Sequence, residues 1–317
     1  MTTKLIIDTD PGIDDAMAIH YAFAHPDIEV LALTTVFGNV WVEQATRNAL
    51  ILAEQAHYPC LVAQGADRPI TMTPNDPSHY VHGDEGFGDV PAMTPTGQPD
   101  PRPAHEVIAE LCRQYPGEVV LAPVGPLTNI ARLLDYDPEI TSYVKKLVIM
   151  GGAVFCKGNV SDYAEANIWN DPHAADQVFA ADWPIELIGL DITQNIKCDA
   201  NDFQGLENAA PEIGGFLNRI SKFYIKFYHS IMGEHVCLMH DPTAIVAITN
   251  PELIEYQAVP LHVIGDGEAI GQTAPSDDQT RRPVKVAVKA DGAKICKTFL
   301  DISAETDTIK NNRLNAG

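Results

Sequence analysis

Four aspartates fall within eight residues near the start of the chain: Asp8, Asp10, Asp14 and Asp15. Pro11-Gly12 between them forces a tight turn. One or two aspartates at a helix start serve as caps, satisfying free N–H groups and the helix dipole. Four exceed what a cap uses. Carboxylates this crowded repel one another unless a cation neutralises them or one is protonated. The pattern predicts a hard-cation site, and oxygen-only ligation suits Ca²⁺ or Mg²⁺ rather than zinc.

Other segments offer partners for such a site. Asp241, in His240-Asp241-Pro242-Thr243, is a second candidate ligand, although it also opens a helix and can cap it. His240 beside it has a path into a cleft. In residues 158–172, Asn159, Glu165 and Asn167 supply the mixed donors and acceptors that sugar hydroxyls require. Asp171-Pro172 in the same stretch reads as a cap followed by a first-turn proline. His82 opens a glycine-rich run, where it can touch a ligand or cap a turn. Phe223, Tyr224, Phe227 and Tyr228 lie at helical spacing. Phe223 and Phe227 fit a core stripe, and the two tyrosines share another face.

The elements that must position these groups alternate along the chain. Residues 4–8, 29–36, 60–64, 118–122, 146–150 and 185–190 read as strands. Residues 14–25, 42–56, 103–114, 127–134 and 171–181 read as helices. This rhythm predicts an α/β fold: an open, mostly parallel, Rossmann-like sheet with helices on both faces. Beyond residue 202 extra helices are expected at 213–231 and 241–248, and a last one at 291–300. Strand-like runs 258–264 and 284–289 flank a Gly/Asp/Pro-rich stretch, which predicts a long hairpin in this C-terminal third. No linker or repeat divides residues 1–317, so one domain is expected. The Pro- and Gly-rich segment 65–102 predicts a lid or binding loop. In open parallel sheets ligands sit beyond the carboxyl ends of the strands. Those ends carry the aspartates, Phe37-Gly38-Asn39, the run Pro123–Asn129 and Gly151-Gly152.

Composition narrows the partners. The 317 residues hold 21 Lys+Arg against 43 Asp+Glu, a net charge of −22. That balance argues against nucleic-acid polymers and acidic membranes, whose binding needs basic faces. No apolar run approaches the ~18–20 residues of a membrane span. The N-terminal residues lack signal-peptide anatomy. Six cysteines without CxxC spacing read as reduced and packed, so a cytoplasmic protein is expected.

Taken in order, the segments resemble those of the inosine–uridine-preferring nucleoside hydrolases. Asp8–Ala16 (DTDPGIDDA) is similar to that family's N-terminal aspartate motif. The similarity continues through Phe37-Gly38-Asn39, Val124–Asn129, Ile149–Gly152, Glu165-Ala166-Asn167 and His240–Ala244. The resemblance implies Ca²⁺ held by Asp10, Asp15, Asp241 and the backbone carbonyl of Val124. Related sequences often have threonine at that last position. It implies ribose binding by Asp14, Asn39, Asn159, Glu165 and Asn167, with Met150 lining the pocket. Asp10 would also act as general base, and His240 would assist the departing base. His82, Tyr224 and Tyr228 would contact the base. Ca²⁺-dependent hydrolysis of ribonucleosides, in nucleoside salvage, by a homo-oligomer (dimer or tetramer) is the expected function.

Two departures from the family pattern stand out. Ala166 occupies a position where relatives commonly carry phenylalanine, which would loosen one wall of the ribose pocket. His240 is kept, which points toward the inosine–uridine or pyrimidine branch. Two other functions fit parts of the sequence. A HAD-like Mg²⁺-dependent phosphatase would use Asp8 as nucleophile and Asp10 as acid/base, but would not explain Asp14-Asp15 or His240-Asp241. A non-catalytic ribose- or nucleoside-binding module would have no need of His240.

Overall fold

Apolar, β-branched runs form twelve strands in the computed structural model, which describes residues 2–316. They are β1 (Thr3–Thr9), β2 (Ile28–Thr35), β3 (Leu61–Gln64), β4 (Val119–Pro123), β5 (Lys146–Met150) and β6 (Ile185–Ile188). The rest are β7 (Lys197–Asp199), β8 (Val236–Leu238), β9 (Ile254–Val259), β10 (Leu261–Val263), β11 (Thr273–Pro275) and β12 (Val284–Ala290). Eight strands make the central sheet in the order β3-β2-β1-β4-β5-β6-β12-β9. All neighbours run parallel except β12 and β9. β1, β4, β5 and β6 are buried through most of their length, as a sheet covered on both faces requires.

Helices cover the two faces and bury separate cores. One core gathers Leu5, Ile7, Val120 and Val148 with the wholly buried Ile13–Ala24 helix. The other gathers Ile6, Leu121, Leu147 and Ile149 under the Ala104–Gln114, Thr128–Tyr136 and Pro172–Ala180 helices. The alternation of Leu5/Ile7 with Ile6 between these cores is the period-2 signature of a strand. The chain builds β1, β2 and β3 outward in one direction, then starts again at β4 on the other side of β1. The carboxyl ends of β1 and β4 therefore flank the point where strand order reverses, which is where open α/β sheets bind ligands.

The expected C-terminal hairpin is corrected in detail. Pro260 lacks an N–H and splits the predicted strand 258–264 in two. β9, on the near side, pairs antiparallel with β12 at the sheet edge, Val259 opposite Val284. β10, on the far side, makes its own pair with β11. The Asn-rich stretch 158–172 includes a short helix, Ala166–Asn170. A helix at Thr306–Ala316 follows the predicted last one, and β7 pairs with β8. Neither was anticipated.

Candidate active site

The aspartate run divides its work between two directions. Asp8 lies within β1, and its Oδ1 accepts from Thr34 (2.6 Å) and Asn129 (2.8 Å). It is buried behind the cleft and does not line it. A phosphatase would need Asp8 as an accessible nucleophile, a role these hydrogen bonds do not favour. Asp10 follows the strand. Its Oδ2 accepts from the Asn39 N–H at 2.6 Å, while its buried Oδ1 has no partner. A Cβ at Gly38 would collide with Asp10 Oδ2, and one at Gly125 would stand 2.6 Å from Oδ1. Both glycine motifs at the strand ends thus make room for one carboxylate.

Gly12 opens the Ile13–Ala24 helix, with Asp14 and Asp15 in its first turn. Asp15 plays the capping part: it accepts from the Gly12 N–H (2.9 Å), Thr9 (2.5 Å) and the Asn39 amide (3.0 Å). Asp14 keeps a buried, unpartnered Oδ1. Asp241 arrives on the first turn of the His240–Thr249 helix. Carboxylate oxygens of Asp14, Asp15 and Asp241 come within 4.8 Å of one another. Asp14, and not the Asp10 of the sequence reading, joins Asp15 and Asp241 in that group.

Burial, reinforced by mutual repulsion, pushes these acids toward protonation. Burial first and then Asp15 raise Asp14 to about 8. The same two causes hold Asp10 well above the carboxylate range, and burial with the charges of Asp14, Asp15 and Asp10 does so for Asp241. No lysine or arginine lines the cleft among the described residues. Orphaned oxygens on Asp10 and Asp14 within an all-oxygen acidic cluster are the donor set of a hard cation.

The ribose candidates line the adjoining wall. Glu165 caps the Ala166–Asn170 helix, accepting from the backbone N–H groups of Asn167 (3.0 Å), Ile168 (3.2 Å) and Gly152 (2.9 Å). The Asn167 amide donates to the carbonyls of Val124 (2.8 Å) and Met150 (3.2 Å). It therefore ties the ends of β4 and β5 to this wall. Asn159 is exposed, and its Oδ1 accepts from the Ala166 N–H at 3.0 Å. Asn39, Met150, Asn159, Glu165, Ala166 and Asn167 all face the cavity.

Opposite stands a chain of hydroxyls and imidazole. Tyr224 donates to Asp14 Oδ2 (3.1 Å), Tyr228 to Tyr224 (3.2 Å), and the Tyr228 hydroxyl meets His240 Nε2 at 3.0 Å. His240 Nδ1 meets Thr193 Oγ1 at 2.8 Å. Burial pushes His240 down to about 4, so the ring is neutral at pH 7. His82 does cap a turn, but a distant one. Its Nδ1 accepts from the Ile13 N–H at 3.1 Å, and the same ring borders the cleft. Burial first, then His240, pushes it down to about 3.

The aromatic stripe needs correction. Tyr224 and Tyr228 are buried and line the cleft, and the half-buried Phe227, read as core, lines it beside them. Phe223 is half-buried, packed against the edge of the core and close to Gly88 of the segment 65–102. Sequence reasoning also missed Tyr80, Val160 and Ile231 at the cleft mouth and Thr193 behind His240. Ile231 sits four residues beyond Phe227, a spacing that could have found it. Thr193 gave no local signal.

The comparisons agree with this geometry. The profile of the family described as "Inosine-uridine preferring nucleoside hydrolase" matches residues 5–297. Uridine nucleosidase 1 of Arabidopsis thaliana is 42% identical over 271 residues, covering 85% of this chain and 81% of that protein. The inosine-uridine preferring nucleoside hydrolase of Crithidia fasciculata is 35% identical over 310 residues, covering 95% and 97%. Among solved structures, a purine-preferring ribonucleoside hydrolase from Gardnerella vaginalis superposes with a TM-score of 0.93 at 32% identity, covering 96% of this chain and 99% of that one. An acidic cleft at the strand-order reversal, a wall of amide and carboxylate groups and these similarities lead to one conclusion: the chain belongs to the inosine–uridine-preferring nucleoside hydrolases, enzymes that hydrolyse the N-glycosidic bond of ribonucleosides.

Proposed function

We propose that this chain is a Ca²⁺-dependent hydrolase of inosine- or uridine-type ribonucleosides, serving nucleoside salvage in the cytoplasm. The observation that carries the reading is a cleft lined by Asp14, Glu165 and Asp241 with no facing cation, where the buried charges of Asp10 and Asp15 also bear on Asp241. Asp10, Asp15, Asp241 and the Val124 carbonyl would hold Ca²⁺, with Asp14 beside them. When bound, the ion supplies positive charge that orients sugar hydroxyls and lowers the pKa of water.

The chain's own residues then divide the reaction. Asp14, Asn39, Asn159, Glu165 and Asn167 bind the ribose. Asp10 Oδ1, free of protein donors, takes a proton from the water that attacks C1′. The C1′–N bond breaks with its electron pair leaving on the base. The sugar becomes oxocarbenium-like, and the surrounding carboxylates stabilise that positive charge. His240 presents a ring N–H to the departing base, assisted by Tyr228. Burial keeps the resting imidazole neutral, so the ring stabilises the departing base through its N–H, and the proton the base gains is balanced by the one that Asp10 takes from the water and releases to solvent.

A panel of inosine, uridine, cytidine and adenosine, read by chromatography of the free base, tests the substrate class. The highest kcat/KM is expected on inosine or uridine; preference for adenosine would overturn the assignment. Protein stripped by chelation is expected to lose turnover and regain it with Ca²⁺. Full turnover in protein shown metal-free by elemental analysis would remove the ion. The six free cysteines support a reducing compartment. The family resemblance is the ground for proposing a homotetramer, which light scattering on the eluting protein would test.

A further inference from the structure

We propose that Thr193 is a positioning residue for the reaction: its hydroxyl donates to His240 Nδ1 and so keeps the ring proton on Nε2, toward the cleft. The inference rests on the acid role proposed for His240 and assigns the residue that prepares it.

The direction of the hydrogen bonds follows from the ends of the chain. Tyr224 donates its proton to Asp14 Oδ2 and accepts from Tyr228. Tyr228 has then used its own proton, so its oxygen accepts from His240 Nε2–H. Nδ1 is left as a lone pair, and the group 2.8 Å from it is Thr193 Oγ1. The other end requires the same order. Thr193 is fully buried, and among the described residues its hydroxyl meets no acceptor besides Nδ1. A buried hydroxyl proton without an acceptor costs about 1–3 kcal/mol. With the proton on Nδ1, Thr193 would be in that position and Tyr228 would lose its donor.

The backbone fixes this pair at both ends. Thr193 closes the one-turn helix Leu190–Thr193 directly after β6, with its N–H bonded to Gly189 O at 3.1 Å. The Met239 N–H, one residue before His240, bonds to Ile196 O at 3.0 Å. Lys197 pairs with Leu238 at the next step of the β7–β8 ladder. Hydroxyl and ring thus sit on segments tied together by one small sheet, Thr193 four residues before β7 and His240 two residues after β8. An outer partner of this kind sets the tautomer and orientation of a functional imidazole.

Thr193→Val, which keeps shape and removes the hydroxyl, tests the assignment. On inosine and uridine, kcat is expected to fall about 10–100-fold with KM within about twofold. On p-nitrophenyl riboside, whose leaving group needs no proton, the fall should stay below about threefold. Thr193→Ser should restore nucleoside turnover to within about threefold of wild type. Histidine-¹⁵N spectra of the wild-type protein should show His240 as the Nε2–H tautomer, a readout independent of whether the valine variant folds. Equal losses of Thr193→Val on both substrate types, no rescue by serine, or an Nδ1–H tautomer would each overturn the proposal. His240→Ala separates the two levels. Equal losses on both substrate types in that variant would remove the acid role itself. A split in His240→Ala without one in Thr193→Val would overturn only the part given to Thr193.

Discussion

The floor and the mouth of the cleft are built on opposite plans. The floor carboxylates Asp10, Asp14, Asp15 and Asp241 are at most 5% exposed and stand on strand ends and first helical turns. Their positions are set by backbone hydrogen bonds and by the sheet ladder. The mouth is made by Tyr80, Val160 and Ile231, which are 71%, 41% and 61% exposed. These sit on the lid segment, an Asn-rich loop and the last turns of the Ile213–Met232 helix. On the proposed mechanism, charge that would stabilise a transition state is placed where it cannot move, and surface that would meet the base is placed where it can adapt. The tyrosine–imidazole chain joins the two, running from Asp14 to His240.

If that division holds, floor substitutions should act on kcat and mouth substitutions on KM. The largest effect belongs to Asp10→Ala, for which kcat should fall by about 10³-fold or more on every substrate. Steady-state kinetics check it, and wild-type-like kcat would break the division at its centre. Next comes His240→Ala, between floor and mouth. Turnover of inosine and uridine should drop about 10²–10³-fold, with a loss on p-nitrophenyl riboside at least tenfold smaller.

A third test addresses the core behind the floor. His20 lies fully buried on the same helix as Asp14, and burial lowers its pKa from 6.5 to about 4. Above pH 6.5 it is neutral in folded and unfolded chains and contributes nothing. As pH falls toward 4, only the unfolded chain gains the proton, so stability is lost, by about 2 kcal/mol at pH 5. His20→Leu should remove that part of the acid sensitivity, seen as a smaller Tm drop between pH 7 and pH 5 than in wild type. The smallest effect is at the rim. Tyr80→Ala should raise KM about three- to fivefold and leave kcat within twofold, since it removes one exposed aromatic contact beside Phe227. A kcat loss as large as its KM change would show that the mouth shares in the chemistry.

Much of this was legible before folding. Asp10, Asp14, Asp15, Asn39, Glu165, Asn167, His240 and Asp241 stood out because aspartates crowded at a turn and glycine-flanked asparagines are local patterns. The sheet was legible because buried strands and amphipathic helices differ in period. The misreadings have one cause. Whether 258–264 is one strand or two depended on which partner each half found across Pro260. Whether Phe227 packs in the core or lines the cleft beside Tyr224 and Tyr228 depended on the rotation of a helix against its neighbours, and both faces of that helix are aromatic.

The sequence by itself determined the order of strands and helices, the acidic turn after β1 and the set of groups able to bind a cation and a sugar. Those properties follow from the type and spacing of near neighbours. Only the tertiary structure decided which groups meet. Tyr224 reaches Asp14 across 210 residues, His82 caps a helix 69 residues away, and Thr193 stands behind His240 across 47. Such contacts depend on sheet order, helix rotation and the packing that fixes both, and no local pattern encodes them.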